Sequence, residues 1–568
     1  MWFANRFINP FLREFKMSEE VVKNKILVRS YAEIATTDAG VADILELDNY
    51  EVNSSFGGGT FERVKSGVLI PGYRVRTKDG VLFQRVYPEG EKPVLRLEDF
   101  GWTPAFNGDC RVMLETGMKA AAAAQISFEL PKPAAIIRVS GWVTFPSNIP
   151  EINGNDCTLY FYYVDRPDGG FWSPDKERAT GITIRNLHMD FDRVDTRLTR
   201  IVGFWFKDPE NCTVENCRIN SRENHTLIMR TTIPATKPSR NNRLRNLELY
   251  VQKEIDNEAR INLLIDVEGG VLMDNVWLET KSVVDRIGHE DYVIENCRFI
   301  NGRYGIGGNY AKNFRINNIT CVKNIRGSSF QNKCSNLTFR DMKIYESKSS
   351  AFHMGYDVRN VQVYGLTAKT NRGEGQGLIH GNVGVYDCRF ENAYLENTNP
   401  IASGGQQWII YFGVNASRNT VRNVSIYGKA KYTTIAIESD WVDGVNYGVS
   451  LKAAGNKIDV VGGIYATEPS VGNVIENVDI TALPVTPQSP AVQLVAGAYD
   501  LVGTTIRNVN VLNEVPTQDF SLYAKSTGKV TEVVLENNGF RDAKSDYGPV
   551  ASYDSLIRRK VVKPAVTK

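Results

Sequence analysis

Apolar and polar residues alternate along most of this chain in one recurring phrase. It reads "TVENCRI" at 213–219, "VIENCRF" at 293–299, "TVRNVSI" at 420–426, "VIENVDI" at 474–480 and "TIRNVNV" at 505–511. A period of two marks strands, and helical spacing is absent from the same region. Aligned on the residue at the centre of the phrase, copies fall at Asn186, Asn216, Asn246, Asn275, Asn296, Asn318, Asp341, Gly365, Asp387 and Asn423, then at Asn477, Asn508 and Asn537. The central copies recur every 21 to 24 residues, which is the signature of a solenoid. Leucine-rich repeats are the competing solenoid, but their spacing is missing and no helix fits within so short a turn. The pattern predicts an all-β fold, a right-handed parallel β-helix, over residues 127–545.

Asn, Asp or Gly at the centre of each copy has a physical reason. A coil bends sharply between strands, and the bend favours the left-handed backbone region that these three residues tolerate best. Stacked amides can also hydrogen-bond from coil to coil. Longer steps between copies carry loops out of the coil, as at 230–242 and 396–408, and such insertions tend to gather on one face.

The stretch "RVMLETGMKAAAAAQ" at 111–125 is the clearest helix in the chain, with Asn107 or Asp109 placed to cap it. A solenoid begins with an unpaired coil, and a capping α-helix within 100–126 covers that edge. Residues 21–99 predict a small N-terminal β-rich head. Residues 1–20 read as an amphipathic peptide, its apolar residues broken by Arg6, Arg13, Glu14 and Lys16, without the apolar core of an export signal. Residues 546–568 read as a terminal cap or intersubunit tail.

The chain has 568 residues, a net charge of +2 and 42% hydrophobic residues, ample for a large core. That balance offers no electrostatic footprint for nucleic acid or an anionic membrane, and no apolar run has membrane-spanning length. Eight cysteines form no CxxC pair, so neither zinc nor another metal is expected. Cys217, Cys297 and Cys388 each follow the central residue of a copy and predict buried free thiols of a protein made in a reducing cytoplasm.

The order of "GGGTF" at 57–61, "DGVLFQR" at 79–85, "LEDFGW" at 97–102, "NGD" at 107–109, a helix and then the coils resembles bacteriophage tailspikes. It is most similar to the capsule-depolymerising, pectate-lyase-like β-helix spikes of podoviruses that infect encapsulated bacteria such as Klebsiella. Those spikes carry an FGA-x-GDG-x-x-D-x-T stretch, whereas this chain reads "FGWTPAFNGDCRVML", lacking the second Gly and the Thr. The resemblance implies a homotrimer in the phage tail of the virion, made in the host cytoplasm, that cuts bacterial capsular polysaccharide without a cofactor. It also implies that residues 1–20 anchor the spike by docking on another phage tail protein.

No nucleophile elbow, HExxH motif or phosphate loop appears; "GIGGNYAKN" at 305–313 lies within a coil and precedes no helix. In a β-helix, chemistry gathers in a column of outward side chains one coil apart, about 4.8 Å per step. The ends of the second strand of each coil predict such a column at Lys207, Arg230, Asp266, Asp285, Gly307, Gln331, His353, His380 and Glu438. Asp266 and Asp285 would be about 5 Å apart, close to the separation of the two carboxylates in retaining glycosidases. Glu268 is the next acid if the register shifts. A solvated polar face is the alternative reading of these acids. His353 could act as a base, and Arg230, His380 and Glu438 could hold substrate. Trp205, Tyr304, Tyr310, Trp408 and Trp441 are candidate platforms for sugar rings.

Three readings follow. Hydrolysis, preferred over elimination, would use the carboxylate pair. Elimination on a uronic acid would use a base and a cation, for which Arg286 beside Asp285, with Tyr304 one coil away, is suited. A non-catalytic adhesin would bind polysaccharide without shortening it. A secreted pectinase-like enzyme is disfavoured by the lack of a visible export signal.

Overall fold

The computed structural model describes residues 23–50 and 57–164 and, between 168 and 559, the strands together with most connections up to residue 429. The chain divides into two units, one of residues 1–93 with 98–103 and one of residues 94–97 with 104–568.

In the first unit, Lys25–Val28 pairs parallel with Ile44–Leu47, and Gly59–Val64, Leu82–Arg85 and Arg74–Arg76 complete a five-stranded sheet by antiparallel pairing. Val28, Leu45, Phe61, Val75 and Phe83 form its core. The "LFQR" and "LEDF" segments meet through Arg85 and Asp99, a buried pair 2.9 Å apart. Arg85 also donates to the carbonyls of Gly72 and Gly58 and lies over the Phe61 ring. Arg85 thereby ties Asp99 to the backbone just before the Gly59–Val64 and Arg74–Arg76 strands, its buried charge both paired and hydrogen-bonded.

The second unit is the parallel β-helix. Among the described residues its strands form a sheet of 28 strands that wraps round the Asn corners, a face of 14, and a three-stranded sheet of Ser470–Val471, Leu501–Val502 and Val530–Thr531, paired parallel from coil to coil. Phe314, Phe330, Phe339, Phe352 and Phe390 run through the interior as a chain of edge-to-face contacts. The helix Arg111–Ala124 packs on Val94–Arg96, Ser127–Glu129, Ile136–Ser140 and Trp142–Thr144, the strands of the first coils. It buries Leu114, Met118, Ala121 and Ala122 against them. Asp109 Oδ1 accepts from the Arg111 amide at 3.1 Å, as a cap for the helix start, and also from the Ser140 amide at 3.0 Å. Gln125 closes the other end in the left-handed region.

The recurring Asn is a corner. Asn186, Asn216, Asn246, Asn296 and Asn318 all have φ between 50° and 54°. Each amide reaches the one before it: Asn246 Nδ2 donates to Asn216 Oδ1 at 2.8 Å, and Asn318 Nδ2 to Asn296 Oδ1 at 2.9 Å. Two corner assignments need correction. Asn296 Nδ2 bonds Asn246 directly at 3.2 Å, so no coil centred on Asn275 lies between them; Asn275 itself falls outside the described residues. Asp387 belongs to a second ladder, because Arg359 is paired with Tyr386, which sets Asp387 beside Asn360. The first ladder instead passes through Asn392, to which Asn423 Nδ2 donates at 3.3 Å. The second ladder runs through Asn211, Asn241, Asp291, Asn313, Asn336 and Asn360. Near the end of the chain, Ile557–Arg559 pairs in register with Val534–Glu536 and continues the stack.

Candidate functional site

Each strand of the 14-stranded face alternates core and outward residues. Phe204 and Phe206 are in the core, so Trp205 turns outward; Phe352 and Met354 do the same for His353. Register then places Trp172, Trp205, Ile228 and Leu264 one above another. The column continues past Gly307 into Ser329, His353, His380 and Tyr411.

The two halves of this column differ in chemistry. In the apolar half, the Trp142 and Trp172 rings stack at 3.3 Å, Trp205 follows at 4.1 Å, and the Arg230 guanidinium lies over Trp205 at 5.2 Å. All three indoles are half-buried. Val202, Ile228, Leu264 and Tyr304 form a small apolar cluster of their own beside them.

In the polar half, Arg303 and Arg326 lie over the Tyr304 ring at 5.2 and 5.6 Å. Arg326 Nη1 is 3.5 Å from His353 Nδ1, and the Ser329 hydroxyl is 3.0 Å from the same nitrogen. Gln331 Nε2 donates to Ser329 Oγ at 3.1 Å. The His353 and His380 rings stack at 5.3 Å, and Tyr411 stacks on His380 at 4.9 Å. Burial, then the neighbouring charges of Arg326 and His380, holds the His353 pKa well below its usual 6.5. His353 is therefore neutral at neutral pH. The Arg326 guanidinium can only donate, so its contact requires a lone pair on Nδ1; in the other tautomer, with Nδ1–H donating to Ser329 Oγ, Nε2 has the lone pair that a base needs.

Other expected positions fall elsewhere on this face. Lys207, Arg230 and Asp266 follow one another in register, two residues along from the aromatic column. Gln331 lies opposite Asn309. The strand Ile261–Val267 pairs next with Tyr304–Asn309, with Ile265 opposite Gly308, so Asn309 takes the place expected for Asp285 beside Asp266. The miscounted coil at Asn275 produced that expectation. Asp285, Arg286, Glu268 and Trp441 lie outside the described residues. Trp408 and Glu438 are strand positions opposite Thr433 and Val461. Tyr304 is buried among apolar neighbours and the two arginines rather than open as a platform. Tyr310 sits at a corner with φ 53°, its amide donating to the Asn332 carbonyl, away from the outward column.

Sequence reasoning missed Trp142, Trp172, Arg303, Arg326, Ser329 and Tyr411. The run "RGSSFQ" at Arg326–Gln331 carried a usable signal, because a strand buried along its whole length is here mostly polar. Polar groups in such a strand need partners or a task.

No family model matches the sequence, and none of the curated proteins is similar to it. Solved structures are similar at low identity. PfbA, a surface adhesin of Streptococcus pneumoniae, has 13% identity and a TM-score of 0.44, over 64% of this chain and 90% of that one. The gp42 tailspike of Acinetobacter phage vb_AbaP_AS12 has 8% identity and a TM-score of 0.45, over 81% and 75%. The enzymatically active domain of bacteriophage CBA120 tailspike protein 4 has 12% identity and a TM-score of 0.36, over 74% of this chain and 57% of that one.

Proposed function

We propose that this chain is a polysaccharide-depolymerising spike, assembled as a homotrimer in the phage tail and attached through residues 1–20. It binds a bacterial capsular polysaccharide at the half-buried indoles of the 14-stranded face and cuts it at the His353 cluster, which is buried and would have to be uncovered as the polysaccharide binds. The observation that carries this reading is the continuity of the column. Stacked, half-buried indoles, which suit the apolar faces of sugar rings, lead in register to a cluster of cation, imidazole and phenol.

The described groups suit elimination from a uronic acid better than hydrolysis. Arg326 would pair with the sugar carboxylate and make the adjacent C5 proton more acidic. His353 would take that proton; the freed electron pair would form the C4–C5 double bond as the C4–O bond breaks, and the leaving oxygen would take the proton from the protonated His353. Hydrolysis is a second reading because Asp266 lies in register with Arg230 and Lys207, with Glu268, two residues on in sequence, as the second carboxylate.

Incubation with capsular polysaccharide tests all three outcomes. A fall in chain length with growth of unsaturated-uronate absorbance supports elimination. A fall without that absorbance supports hydrolysis. Binding with no fall in length leaves an adhesin and overturns the proposal.

A further inference from the structure

A second face of the β-helix carries a groove of about 760 Å³ that the column above does not use. It runs along the second Asn ladder, across the corners Asn211, Asn241, Asp291, Asn313 and Asn336. Register places Thr213, Arg243, Val293, Arg315 and Thr338 along its length, one per coil. Beneath them, Tyr292 and Phe314 are buried and stacked at 4.7 Å, which gives the groove a firm floor.

Its charges differ from those of the surrounding surface. Nearby surface cations are matched: Arg240 with Glu210 at 2.8 Å, Lys312 with Glu290 at 3.6 Å, and Arg245 with Glu295 at 3.2 Å. Arg243 and Arg315 are exposed, and neither guanidinium has an ion-pair or hydrogen-bond partner among the described residues. They stand two coils apart, about 10 Å, comparable to the repeat of two sugars in an extended chain. The one acid in the groove, Asp291, is engaged as acceptor for Asn313 Nδ2 at 3.2 Å. Corner amides and two threonine hydroxyls supply neutral donors and acceptors between the guanidiniums. Such a lining suits a ligand that is long, hydroxyl-rich and negatively charged at intervals.

We propose that this groove is a non-cutting holding site for an acidic linear polysaccharide, with Arg243 and Arg315 pairing with carboxylates on alternate sugars. The proposal does not depend on what happens at His353. A chain held here would stay tethered to the spike after being cut elsewhere.

Affinity electrophoresis through gels containing polygalacturonate tests it, with the methyl-esterified polymer as the uncharged counterpart. Polygalacturonate should retard the native protein, less so as salt rises, and the ester should not. R243A/R315A should bind at least tenfold more weakly, and R243K/R315K should recover part of the loss. Equal retardation of the native chain and R243A/R315A, or no retardation of the native chain, overturns the proposal. So does a change of oligomeric state of R243A/R315A in sedimentation velocity, which would make the groove an interface between copies. If the native chain fails to cut polysaccharide while R243A/R315A loses binding, the cleavage reading falls and this one stands.

Discussion

An amide at a left-handed corner meets two demands at once. At Asn246, φ of 50° is a conformation that costs most residues about 1–2 kcal/mol. Its side chain also donates to Asn216 and accepts from Asn296. Substitutions can separate the two effects. Asn246→Gly loses the amide contacts but keeps an easy backbone, and should destabilise by about 1 kcal/mol. Asn246→Ala loses both and should cost about 2 kcal/mol in chemical denaturation. Gly365, with φ of 74°, shows that the ladder already accepts glycine at one corner. At His353 the effect is on pH. The unfolded chain takes up a proton below about pH 6.5, whereas the folded chain keeps this imidazole neutral to a much lower pH. Stability present above that pH should therefore be lost as pH falls, by up to about 1.4 kcal/mol per unit from this group. Thermal unfolding of His353→Gln between about pH 8 and pH 5 should show a shallower decline than the native chain.

Strands and the capping helix were legible in the sequence for different reasons. The coils repeat because interior packing and corner geometry constrain the same places in every turn. The helix stood out because its alanine-rich run has no competing period. Which side chains become vertical neighbours was less legible, since it depends on how many residues leave the coil between corners. Asn246 and Asn296 are adjacent in the stack, and counting Asn275 as a corner shifted Asp285 into a place held by Tyr304–Asn309. His353 and His380 were found because each follows an apolar strand residue, Phe352 and Ile379; Arg326 was missed although its strand lies directly below. At this scale, Trp205→Ala breaks contact with both Trp172 and Arg230 and should weaken polysaccharide binding roughly tenfold with the coil intact. Met118→Ala opens a cavity between the helix and the first coils and should cost about 2–5 kcal/mol.

For the whole molecule, the core is held by packing without cross-links. All eight cysteines are buried and unpaired. Burial pushes the thiol of Cys212 up to about 11 and those of Cys217, Cys297 and Cys388 to about 12, so little reactive thiolate forms at neutral pH. Maleimide should leave the native chain unlabelled and label all eight sites after unfolding, and reductant should not move the melting temperature. Rapid labelling of the native chain would show that the coils open far more readily than their packing suggests.

The direct bond between Asn246 and Asn296 has a consequence for how such a protein can change. A spool that registers only its corners is indifferent to the length of thread paid out between them. The fifty positions separating those two amides do the structural work of twenty-two elsewhere. Decoration between rungs can therefore be lengthened, shortened or exchanged wholesale while the stack stays in step, which lets surface specificity drift without re-engineering the scaffold.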